Sequence, residues 1–85
     1  MNGKVKDNQA KNRYELEIDG QIVFADYRRD GGNIQILHVE TPPSLRGKGA
    51  AAELMKGIME IARVENLKVI PVCPYAVTWM QRNKV

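Results

Sequence analysis

Cysteine is nearly missing from this chain. Cys73 is the only one, which excludes an intramolecular disulfide, and no cysteine–histidine cluster suggests zinc or another metal. A reducing, cytoplasmic setting is expected. No apolar run is long enough to span a bilayer, and the polar N-terminus shows no signal peptide, so no membrane partner is expected. Aromatics are only 6% of the residues, too sparse to stud a basic face for stacking on bases. A one-signed folded surface is lacking too. The net charge of +3 resides in Lys4, Lys6, Lys11 and Arg13 set against Asp7, while residues 14–85 hold nine basic and nine acidic side chains. Nucleic acid is therefore not an expected partner, and a monomer or weak homodimer is.

What remains is an ordinary globular composition, 44% hydrophobic and 27% charged, in 85 residues. That length suits one small domain near the lower limit for building a core. Residues 1–12 are polar and aperiodic, and predict a flexible basic tail. Residues 13–85 form the single domain.

Arg13 to Asp19 alternates, with Tyr14, Leu16 and Ile18 on one face and Glu15, Glu17 and Asp19 on the other, which predicts a half-buried strand. Asp19-Gly20 predicts a tight turn. Gln21 to Arg29 predicts a second strand, apolar on both faces and so covered on both sides for part of its length. After Asp30-Gly31-Gly32, a third strand runs from Asn33 to Val39. Here Ile34, Ile36 and His38 share a face opposite Leu37 and Val39. Pro42-Pro43 ends it.

From Gly47 to about Asn66 the apolar period becomes helical. Ala51, Leu54, Ile58, Ile61 and Ala62 form a stripe, with Met55 and Met59 at its margin. Gly57 weakens this helix unless a neighbour needs the space. Asn66 suits a left-handed stop. Leu67 to Val72 predicts a short covered strand, and Tyr75 to Arg82 a second helix with Pro74 at its start. Tyr75, Trp79 and Met80 are its expected apolar contacts. The order β–β–β–α–β–α gives an α/β (α+β) domain: an antiparallel three-strand meander, a crossover helix, a parallel fourth strand and a C-terminal helix.

The chemistry concentrates at Leu45 to Ala51. A glycine turn at the carboxyl end of a strand feeds the long helix, whose first amides lack intrahelical partners. Gly47 and Gly49 let a phosphate approach the main chain, and Arg46 and Lys48 add positive charge. The plainer alternative is that the glycines only shape the loop.

Arg46-Gly47-Lys48-Gly49-Ala50-Ala51 resembles the Q/R-x-x-G-x-G/A motif of the GCN5-related N-acetyltransferase superfamily, with Arg46, Gly49 and Ala51 at its defining places. The blocks His38 to Pro42, Leu45 to Gly49 and Leu67 to Tyr75 together resemble a small subfamily of about this length, over roughly residues 13–83. The resemblance implies a reduced form of that fold and acetyl-CoA as cosubstrate. The pyrophosphate would be held by amides from Arg46 to Ala51, that is Arg46, Gly47, Lys48, Gly49, Ala50 and Ala51. The pantetheine arm would enter where the third and fourth predicted strands splay, with the backbone near His38, Val39 and Glu40 facing the arm and the thioester. The implied reaction is acetyl transfer to an unidentified amine. Larger members carry more helices and strands around the acceptor. Here the cofactor half is expected to be present and the substrate half reduced, to be completed by an open cleft or a partner. The alternative function is a non-catalytic CoA- or acyl-CoA-binding module.

Four residues are catalytic candidates. Cys73, before Pro74, is a candidate acetyl acceptor as thiolate, or an inert buried thiol. His38 is a candidate base, although its shared face with Ile34 and Ile36 predicts a core or rim position. Glu40 is a candidate base or amine-binding group, or a solvated carboxylate. Tyr75 is a candidate proton donor to the departing thiolate, or a core residue. Arg82 and Lys48 are candidates for the 3′-phosphate of CoA, against a default surface role.

Overall fold

The computed structural model describes residues 4–84. One sheet holds β1 (Lys6–Asn8), β2 (Arg13–Ile18), β3 (Gln21–Asp30), β4 (Asn33–Glu40) and β5 (Lys68–Pro71), in that spatial order. The first four strands pair antiparallel, and β5 pairs parallel to β4 across helix α1 (Ala50–Glu65). Helix α2 (Pro74–Arg82) follows. This is the anticipated β–β–β–α–β–α order with one strand added in front.

Local chemistry accounts for the boundaries. Asp19 and Gly20 both take positive φ, as the tight β2–β3 turn requires. Asn66 ends α1 in the left-handed region and returns its amide to Ala62 and Arg63, and Leu67 N–H donates to Ala62 O at 2.8 Å. Both helices pack on one face of the sheet, where Tyr14, Leu16, Val23, Ala25, Ile34 and Ile36 meet Leu54, Met55, Ile58, Ala76 and Met80 in one core. The buried stripe of α1 is Ala50, Leu54, Met55, Ile58 and Ala62. Met55 is thus a core residue rather than a marginal one, and Ala51 and Ile61 are only half-buried.

Three expectations are corrected. Of the tail expected over residues 1–12, residues 1–3 lie outside the described residues, and the rest contains an edge strand over Lys6–Asn8, followed by a 3-10 turn over Gln9–Lys11. Side chains hold it. Tyr27 donates to Asp7, Asn8 donates to Glu15, and Val5 lies where Gly57 has no Cβ. These partners are distant in sequence, so a polar three-residue strand gives no periodic signal.

The second correction concerns β3. It is central in order, but only Val23, Ala25 and Tyr27, on one face, are buried. Ile22 is exposed on the opposite face, and Phe24 is half-covered there by the Arg13 guanidinium, 3.8 Å from its ring centre.

The third concerns His38. Tyr27 pairs with Ile36 while the adjacent Asp26 pairs with His38, so β4 carries one extra residue, Leu37. This bulge resets the alternation. Leu37 (43% exposed) and His38 (side chain 55% exposed) both lie outside the core, and Val39 packs against it instead. His38 is therefore neither a core nor a rim residue beside Ile34 and Ile36.

Candidate functional site

The parallel ladder between β4 and β5 is short. Its last pair is Ile36 with Pro71. Beyond it, the Ile36 carbonyl accepts both Val72 N–H and Cys73 N–H at 2.9 Å, and the chain turns into α2. The Leu37–Glu40 half of β4 is left without a β5 partner. A fork opens there, between β4 and the start of α2, with the start of α1 beneath it.

The loop that crosses the fork is fixed along its length. Pro43–Leu45 forms a 3-10 turn that buries Leu45. Ser44 donates to Gln21 at 2.7 Å, tying the loop to β3. Arg46 Nε donates to the Thr41 carbonyl at 3.1 Å, and its Nη2 reaches Glu40 Oε2 at 3.3 Å. Gly47 and Gly49 then take φ of 78° and 79°, a region that costs an L side chain about 1–2 kcal/mol. Lys48 N–H returns to Leu45 O and Glu53 N–H to Gly49 O. No side chain caps α1, and among the described residues the amides of Gly49, Ala50, Ala51 and Ala52 meet no backbone acceptor. Four main-chain donors thus stand at the positive end of a 16-residue helix.

These donors border a cavity of about 460 Å³. Val39, Glu40 and Thr41 form one wall, Arg46, Gly47, Gly49, Ala50, Ala51 and Ala52 another, and Tyr75 closes it from α2. Val39, Glu40, Arg46, Gly47, Gly49, Ala50, Ala51 and Tyr75 are thereby brought together. Lys48, between the two glycines, is exposed beside the cavity, outside its wall. Cys73 and His38 do not line it. Cys73 is 7% exposed at the N-cap of α2. Tyr75 is 39% exposed and faces the cavity rather than the core, a place taken by its neighbour Ala76. Partial burial raises the Tyr75 phenol above its ordinary value, with Arg82 opposing and Cys73 adding to the shift.

Glu40 is ionised and engaged. Its hydrogen bond with His38 is the largest influence holding its carboxyl below the usual range, and Arg46 acts in the same direction. Two contributors were not anticipated. Ala52 follows Gly49 at helical spacing, and that spacing was the available signal. The Thr41 carbonyl that anchors Arg46 carries none.

The site thus sets the free amides of a glycine turn against a strand fork. A family model described as GCN5-related N-acetyl-transferase matches residues 13–85. The chain belongs to the GCN5-related N-acetyltransferase family. The fold is similar to the NMR solution structure of a GCN5-like candidate N-acetyltransferase from Staphylococcus aureus, with a TM-score of 0.66 and 27% sequence identity over 95% of this chain and 80% of that one.

Proposed function

We propose that the protein binds acetyl-CoA at the β4–β5 fork and transfers the acetyl group to an amine. One observation carries this reading: the left-handed Gly47 and Gly49 turn presents the unpartnered amides of Gly49 to Ala52 to the cavity beside Val39 and Tyr75. A pyrophosphate suits those donors, which combine close main-chain approach with the helix dipole. Lys48, exposed beside them, adds a mobile charge. The pantetheine arm suits the unpaired half of β4, whose amides near Val39 would polarise the thioester carbonyl. Tyr75 is the proton donor to the departing thiolate, since it closes the cavity from the start of α2.

Direct transfer is favoured over a relay through Cys73, because that thiol is buried and off the cavity wall. Mass spectrometry after incubation with acetyl-CoA should find no covalent acetyl on Cys73; a stable adduct there would reinstate the relay. The cytoplasm, where the cosubstrate is plentiful, is the proposed compartment.

Acetyl-CoA titration followed by amide NMR tests the reading. Signals from residues 39–41 and 47–52 should move together. Their constancy at millimolar ligand would overturn it, and binding without transfer to any amine would select the non-catalytic CoA-binding alternative.

A further inference from the structure

The two faces of the sheet are unlike each other. The helices cover one, and the other carries no helix among the described residues. The bulge at Leu37 places His38 on the uncovered face, next to the fork and opposite Asp26. His38 Nε2 lies 2.9 Å from Glu40 Oε1. Glu40 is held in turn by Arg46, whose second bond is to the Thr41 carbonyl. An ionised carboxylate only accepts hydrogen bonds, so the proton of a neutral His38 must sit on Nε2. The lone pair then resides on Nδ1.

We infer that His38 Nδ1 is the base that takes the proton of the acceptor amine, that Glu40 is the positioning residue fixing its tautomer, and that the acceptor reaches the fork from the uncovered face of the sheet. This rests on the proposed acetyl transfer. The arrangement separates the two substrates. The cosubstrate occupies the helix side, where the free amides are, and the amine arrives where Leu37 and Val72 leave exposed apolar surface on the two arms of the fork. With no helix among the described residues on that side, the fitting acceptor is an amine on an apolar stem projecting from a larger body, as a lysine side chain does from a protein surface.

In the step itself, the amine nitrogen forms a bond to the acetyl carbon and gives its proton to Nδ1. The C–S bond breaks and the thiolate leaves with the electron pair. Tyr75 protonates that thiolate, and the imidazolium, balanced by Glu40, gives its proton to solvent, from which Tyr75 is reprotonated. The other charged groups facing His38 are Asp26 on β3, itself 3.3 Å from Arg13, and Arg46 through Glu40.

Nitrogen-detected tautomer NMR on the whole chain at alkaline pH is the first readout. The Nε2–H form is expected in the wild type, relaxing to a tautomer mixture in Glu40→Gln. The second readout is CoA release from acetyl-CoA with excess n-butylamine as the probe. His38→Gln should slow it about a hundredfold, the usual scale of general-base catalysis, while leaving the acetyl-CoA-induced shifts at residues 47–52 intact. A wild-type Nδ1–H form or equal release by His38→Gln would each overturn the inference, whereas acetyl-CoA binding without any release would refute the proposed transfer itself. Absence of acetyl-CoA shifts would instead refute the proposed function, and the tautomer spectrum would still judge the His38–Glu40 assignment by itself.

Discussion

The Tyr27 hydroxyl donates a 2.6 Å hydrogen bond to Asp7 Oδ1, joining the central strand of the sheet to its edge strand across β2. Tyr27 also stacks at 4.7 Å between ring centres on Tyr14, whose residue pairs with Asp7 in the β1–β2 ladder. The bond is charge-assisted and partly buried. Tyr27→Phe should therefore cost about 1–3 kcal/mol in denaturant unfolding and speed amide exchange at residues 6–8 more than elsewhere. An unchanged midpoint would show that β1 is held by its ladder alone.

The same pair sets an alkaline limit. Burial pushes the Tyr14 phenol from its ordinary 10.0 up to about 12, with Asp7 and Glu65 adding to the rise. Tyr27 is raised as well, first by burial and then by its bond to Asp7. Between the ordinary and raised values the folded chain keeps phenol protons that the unfolded chain has lost. Stability should be full below about pH 10 and fall as the pH climbs toward 12. Urea midpoints measured across this range should decline, and the decline should flatten when both tyrosines are replaced by phenylalanine. A flat wild-type profile would contradict the shifts.

Gly57 faces Val5, and a Cβ built on Gly57 would overlap the valine side chain. Elsewhere in a helix, glycine to alanine gains about 1 kcal/mol. Here Gly57→Ala should forfeit that gain by displacing the segment ahead of β1, with faster exchange at residues 5–8 and an intact α1. Adding Val5→Ala should recover the lost stability. Full stabilisation by Gly57→Ala alone would mean that Val5 moves aside freely.

Gly20 and Gly49 make a matched pair. Both have positive φ and open space where a Cβ would point. Alanine at either should cost about 1–2 kcal/mol of stability through backbone conformation. Only Gly49→Ala should also weaken acetyl-CoA binding, by tenfold or more, because there the Cβ intrudes on the proposed phosphate approach. Equal binding by the two variants, measured calorimetrically, would argue against the main-chain cradle.

Much of this architecture was written in local pattern. The alternation of Tyr14, Leu16 and Ile18, the Asp19-Gly20 turn, the helical stripe through Leu54 and Ile58, and Asn66 as a stop all depend on near neighbours, and they appear at those positions. So does the glycine turn. Features set by distant partners were not legible. The strand at Lys6–Asn8 depends on Tyr27 and Gly57, the bare outer face depends on how few helices the chain makes, and the surroundings of Tyr75 depend on where the fork opens. His38 failed for another reason. Alternation assumes an uninterrupted count of two, and nothing in Leu37 itself announces an extra residue.

That extra residue works as a phase shifter. Upstream of Leu37, β4 turns odd positions one way, and downstream it turns them the other. Which side chain meets the cavity and which meets the outside is thus decided by a length as well as by chemistry. Were Leu37 instead to pair with Asp26 in an unbulged ladder, His38 would fall opposite Ala25 and turn toward the helices, and Val39 would turn out into water. A slip of one residue in pairing would exchange a polar outer station for an apolar one with every amino acid unchanged.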